Sequence, residues 1–138
     1  MIFHYFEITS KIVRPIIPII LKSQAKLILY SALIDSGADY SIFSLDIAHA
    51  LGIKHELKDK VKFIGVGRET INGFWGKIGI IIGDTTYETH AIFAEISEFG
   101  HGILGHKGFF DQFDVKLSYQ KQTIEIEPND NSYQLDRN

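Results

Sequence analysis

The chain has 138 residues and a mass of 15.6 kDa, room for one compact domain and little more. Hydrophobic residues make up 45% and charged residues 22%, which excludes a disordered tail or a fibrous repeat. Fourteen basic against seventeen acidic residues and no Lys/Arg run leave no stripe for nucleic acid, and the lack of cysteine excludes disulfides, thiolate metal sites and thiol catalysis.

The most apolar early stretch, Ile16 to Leu21, is interrupted by Pro18 and flanked by Arg14, Pro15 and Lys22. A membrane-spanning helix needs about 20 apolar residues, so this segment is too short. The first ten residues carry Glu7 and neither a basic leader nor a small-residue cleavage site. The expectation is a soluble, cytoplasmic chain with no membrane partner.

Ile2 to Thr9 is rich in β-branched and aromatic residues and reads as a strand. Val13 to Leu21 reads as an edge strand, because its two prolines cannot donate to a central ladder. Lys26 to Ile34 is a near-continuous apolar run, expected to be buried on both faces and to deliver Asp35 into a turn. Ser44 to Leu51 is the strongest helix signal: Ser44 suits the N-cap, Ile47 and Leu51 share a face, and Gly52 suits the exit.

From Lys60 the pattern turns to period two, with Val61 and Phe63 on one side. Glycines then punctuate Ile64 to Arg68 and Ile71 to Gly73, and Lys77 to Ile82 and Thr86 to Glu95 form two strands joined at Gly83-Asp84. A short apolar segment, Gly102 to Gly105, precedes a possible helical turn with Phe109, Phe110 and Phe113 on one face, packed as core. Asp114 to Tyr119 and Gln122 to Glu127 alternate around Gln120-Lys121 as a hairpin. One domain over residues 1–127 and a polar, disordered tail over 128–138 are expected.

The chemistry concentrates in Leu33-Ile34-Asp35-Ser36-Gly37-Ala38-Asp39: an apolar strand ending in an acid, a hydroxyl, a glycine and an alanine. Asp-Ser-Gly alone describes an ordinary turn, since Asp and Ser bond their own backbone. Here it is coupled to a mid-chain Gly65-Val66-Gly67 and a late Ile103-Leu104-Gly105. In this order the segments resemble the retropepsin-like aspartic peptidases, in particular small single-domain bacterial members, over roughly residues 13 to 127.

The resemblance implies an all-β fold, a closed β-barrel half of the acid-protease type with one or two short helices. It implies a homodimeric aspartic endopeptidase acting on peptides or proteins, with no cofactor and no metal. Asp35 would be catalytic, with Ser36, Gly37 and Ala38 supporting the active-site loop. Asp39, Gly65, Val66, Gly67 and Ile103 would meet substrate, the glycines forming a flap. Leu104, Gly105 and His106 would pack behind the loop, His106 standing where retroviral members carry an arginine. In the family the terminal strands of two subunits interleave, and Thr123 to Glu127 and the amino-terminal strand are the counterparts here.

Two carboxyls about 3 Å apart cannot both ionise easily and share a proton, which lets one act as base and the other as acid. This chain has a single such triplet, so a pair requires Asp35 from each of two copies. The alternative is a catalytically silent peptide-binding or dimerisation module. A metal site among His101, His106, Asp111 and Asp114 is disfavoured, because a spacing of five places the two histidines on no common helix face. Trp75 reads equally as a flap anchor or as sheet packing.

Overall fold

The computed structural model describes residues 1–55, 59–64, 68–96 and 99–130. Among the described residues, twelve strands and one helix follow in chain order: β1 (Ile2–His4), β2 (Phe6–Thr9), β3 (Ile12–Arg14), β4 (Ile16–Ser23), β5 (Lys26–Ile34), β6 (Ile42–Ser44), α1 (Leu45–Ala50), β7 (Lys60–Ile64), β8 (Thr70–Ile82), β9 (Thr85–Ala94), β10 (Gly102–Leu104), β11 (Phe113–Ser118) and β12 (Thr123–Pro128). The fold is all-β, as expected. No helix among the described residues is long and apolar enough to cross a membrane.

The main sheet runs β4-β5-β10-β6-β9-β8-β7, and a further β4–β8 pairing joins its ends into a closed barrel. This corrects the expectation that Val13 to Leu21 is an edge strand. Strand β4 pairs with β5 along its whole length and with β8 through Ile20, Leu21 and Lys22. Pro18, opposite Ser31, lies outside the doubly paired part, so its missing N–H costs no ladder bond to β8.

Strand β8 is long because it serves β7 and β9 in succession, besides closing on β4. Its first residues pair with β7 as one hairpin, and Gly73 to Ile82 pair with β9. Period-two burial of Phe74, Ile78, Ile80 and Ile82 aims one face of β8 into the main core, with Ala32, Phe43, Phe93, Leu104 and Phe109. A second, smaller cluster of Ile42, Ile92, Ala94 and Ile96 collects Val61, Phe63, Trp75 and Ile103 on another face.

Strand β5 departs from the expected two-sided burial: Leu27 and Leu29 are exposed, and full burial begins only at Ala32. The reason is pairing, since β10 covers only Ala32 to Ile34. Helix α1 is short and capped as read, the Ser44 hydroxyl accepting from the Asp46 amide at 3.2 Å. The stretch after Gly105 forms tight turns, leaving α1 the one helix among the described residues, and Phe109 and Phe113 are fully buried there.

At the base, β12 lies between β1 and β11 in a three-stranded sheet. The β11–β12 hairpin pairs as expected, although Leu117 on β11 is exposed, and the Met1 ammonium bridges to Glu127 at 2.8 Å. Residues 131–138, most of the expected tail, lie outside the described residues.

Candidate active site

Asp35 follows the last residue of β5, where three short strands meet. Strand β10 runs parallel to β5 and antiparallel to β6, with Ile103 opposite both Leu33 and Ile42. The Asp35 amide donates to the Leu104 carbonyl at 3.0 Å, fixing the start of the loop to the β10 backbone. The loop then closes on itself, the Ala38 amide donating to the Asp35 carbonyl and the Gly37 amide to Asp35 Oδ1 at 2.9 Å. One carboxylate oxygen is thus held by the loop, and no partner within the described residues engages the other. The carboxylate of this half-buried residue is oriented without being consumed.

Leu104, Gly105 and His106 run alongside the loop, their backbones hydrogen-bonded or closely apposed to it. Gly105 is buried, and a Cβ built on it would come within 2.7 Å of the Ala38 carbonyl oxygen and press against the Tyr40 carbonyl. Only glycine allows the 105 backbone to pass this close to the loop. Amides of His106 and Lys107 donate to the carbonyls of Ala38 and Asp39, each at 2.9 Å, extending the register alongside the loop.

His106 does not reach the Asp39 carboxylate. Its Nε2 lies 2.6 Å from the Ser36 carbonyl oxygen and its ring packs edge-on against Phe110. A carbonyl only accepts, so Nε2 carries the hydrogen and donates. The position is therefore used to hold the Ser36 peptide, and Asp39 is exposed with no ion-pair partner among the described residues. The exposed Ser36 hydroxyl likewise makes no hydrogen bond within the described residues.

Sequence reasoning missed Ser41. It is fully buried, its hydroxyl donating to the Lys107 carbonyl at 2.9 Å and accepting from the Gly105 amide at 3.1 Å. One side chain thereby staples the loop that carries Asp35 to the turn after β10. The only available signal was a lone hydroxyl between Tyr40 and the apolar Ile42. Tyr87 was missed as well: its buried hydroxyl donates to the Gly108 carbonyl at 2.7 Å. Burial, with a smaller contribution from the Asp111 charge, pushes its phenol well above the ordinary value.

Trp75 proves to be both sheet packing and a link to the loop. It sits in the second cluster and meets Tyr40 edge-to-face at a centroid distance of 5.1 Å. Ile103, expected to line the cleft, is half-buried in the same cluster. Gly65, Val66 and Gly67, expected at the flap tip, lie outside the described residues; the β7–β8 hairpin that leads to them is present, with Ile64 opposite Thr70. His101 contacts its neighbour's carbonyl through Nδ1, and no group of three metal-ligating side chains occurs among the described residues.

Comparisons with solved structures identify this as a retropepsin-like fold. The retroviral protease-like domain of Ddi1 from Leishmania major matches with a TM-score of 0.59 at 15% identity, over 85% of this chain and 90% of that one. The EIAV protease, solved with the inhibitor HBY-793, matches with a TM-score of 0.53 at 20% identity, over 71% and 86% of the two chains. A retropepsin-like aspartic protease from Rickettsia conorii gives a TM-score of 0.52 at 12% identity, over 79% and 78%. No protein-family model matches the sequence, and no curated protein matches it.

Proposed function

We propose that the protein is a homodimeric aspartic endopeptidase whose catalytic pair is Asp35 from each of two copies. The observation that carries this reading is the state of that carboxylate: one oxygen held by the Gly37 amide, the loop braced by Leu104, and no acidic or basic partner for it within the described residues. An acid prepared in this way is half of a device. The Ser36 hydroxyl, also unengaged within the described residues, is free to bond the facing loop.

Two such carboxyls brought within hydrogen-bond distance share one proton. The ionised member takes a proton from a water held between them while the protonated member donates to the carbonyl oxygen of the scissile peptide. A tetrahedral diol forms, and the reverse transfer to the leaving nitrogen completes hydrolysis with no covalent intermediate. An extended peptide would lie between the floor at Ala38, Asp39 and Ile103 and the hairpin β7–β8, adding its backbone as a strand. Gly65, Val66 and Gly67 would close over it.

The test is hydrolysis of a diverse peptide pool by the wild-type chain and by Asp35→Asn. The expected result is cleavage by the wild type and a loss of at least about a thousandfold in the variant, of the order set by removing a general acid–base group. Dimers that fail to cleave at any pH between 4 and 8 would replace this reading with a silent peptide-binding or dimerisation module.

A further inference from the structure

We infer that the β2–β3 ribbon is a dimerisation arm that packs on a second copy of this chain. The inference rests on reading Asp35 as half of a shared pair, which obliges a second copy to approach that residue closely.

Of the two strands that the resemblance singles out for such a contact, β12 is paired on both edges and β1 on one. Strand β12 has β1 on one edge and β11 on the other, and the Met1 ammonium is bound to both the Ile126 carbonyl and the Glu127 carboxylate. Thr123 to Glu127 therefore cannot pair with another copy without breaking a ladder inside its own chain. The exposed loop residues Ser36 and Gly37 are small, and two such loops meeting fall far short of the roughly 800 Å² per partner that a stable interface buries. Since Ile2, Leu117 and Tyr119 belong to the base sheet and its hairpin, which share no ladder with β5 or β10, the exposed apolar residues best placed to supply the missing area are those that adjoin Asp35.

The ribbon adjoins it. The Ile34 amide donates to the Pro15 carbonyl at 2.9 Å, which places Arg14, the last residue of β3, beside the end of β5 that carries Asp35. From there the ribbon leaves the barrel, since β2 and β3 pair only with each other among the described residues. Its surface is wrong for solvent: Phe6 is 55%, Ile8 42% and Ile12 45% exposed. A two-stranded ribbon with a bare apolar surface is marginal in water alone. A bulge between Glu7 and Thr9 leaves Ile8 without an opposite residue, an irregularity that breaks the flat edge on which open-ended strand pairing depends. The contact this favours is side-chain packing across a closed twofold.

Sedimentation velocity on the full chain, with Phe6→Lys and Ile8→Lys as separate variants and Leu29→Lys as control, tests the inference. Leu29 is more exposed, at 76%, but lies six residues before Asp35 on β5. Each ribbon variant should weaken dimerisation by about tenfold or more, while Leu29→Lys leaves it unchanged. Turnover per dimer should return to the wild-type value once concentration restores the dimer. Because a lysine variant could misfold, a photoreactive benzophenone analogue of phenylalanine at position 6 provides a conservative second probe, expected to yield a covalent dimer on irradiation. Wild-type dimers that cleave peptide while folded ribbon variants associate normally would overturn the arm and leave the peptidase reading standing. A wild-type chain that stays monomeric at every concentration would overturn both.

Discussion

Gly105 shows how tightly the candidate site depends on single atoms. Its backbone runs past the carbonyls of Ala38 and Tyr40 with no space for a methyl group. Gly105→Ala should therefore cost about 3 kcal/mol or push the loop aside, the magnitude typical of overpacking at a buried backbone contact. Gly100→Ala is the informative comparison. Gly100 has a positive φ of 75° but nothing within 4 Å of a built Cβ, so alanine there meets backbone strain without crowding and should cost about 1 kcal/mol. Urea unfolding of the two variants measures the difference. At this scale legibility was uneven: Asp35, Ser36 and Gly37 announce themselves by residue type and order, and Gly105 by its place after an apolar pair. Ser41 does not, because its role is to bridge backbone groups of Gly105 and Lys107 that lie more than sixty residues away. His106 was legible as a departure from the family pattern, but its partner, the Ser36 carbonyl, was not.

Among the elements, local pattern identified strands whose burial alternates and misjudged those whose neighbours decide their status. Strands β7, β11 and β12 fall where period two places them. Strand β4 was misplaced at an edge because proline is a local signal and barrel closure onto β8 is a distant one. The phenylalanines after Gly105 suggested a helical turn; the segment forms successive turns closed by local bonds, such as the Phe110 amide to the Gly105 carbonyl and the Phe113 amide to the Phe109 carbonyl. It is tied outward by Tyr87 from β9 to Gly108. That bond predicts a pH response. Burial disfavours the Tyr87 phenolate, so the folded chain retains this proton to higher pH than the unfolded chain does. Above about pH 10 the unfolded state binds fewer protons, and stability falls as pH rises, by at most about 1.4 kcal/mol per pH unit from this group. Tyr87→Phe should lose about 1 kcal/mol at neutral pH through the missing hydrogen bond. The gap to wild type should then close or reverse between pH 10 and 11. Tyr30, whose phenol is also raised chiefly by burial, remains in both proteins and cancels in the comparison. Denaturant unfolding at pH 7, 9, 10 and 11 reads this directly.

For the whole molecule, the decisive property is that the barrel closes on itself while the carboxylate of half-buried Asp35 keeps one oxygen unengaged by the described residues. The core closes on itself through β4 and β8, and in the base sheet β12 is paired on both edges by β1 and β11. The proposed pairing makes a stoichiometric prediction that does not depend on knowing the substrate. Mixing wild-type chains with an equal amount of Asp35→Asn chains, at concentrations where dimers dominate, distributes the two kinds at random across a twofold. About one quarter of the dimers then carry two acids and about half carry one, so activity per wild-type chain should fall to about half. If each chain were sufficient by itself, adding the variant would change nothing. If one acid in a dimer sufficed for full turnover, activity per wild-type chain would instead rise to about one and a half times its original value. Diluting the mixture adds a second axis: activity of the wild type alone should fall with the square of its concentration once monomers predominate, whereas a self-sufficient chain would follow a first-power law. A square-law decline together with halving on mixing requires two acids from two chains, which is the arrangement that the position of Asp35, at the end of β5 and beside the exposed β2–β3 ribbon, prepares.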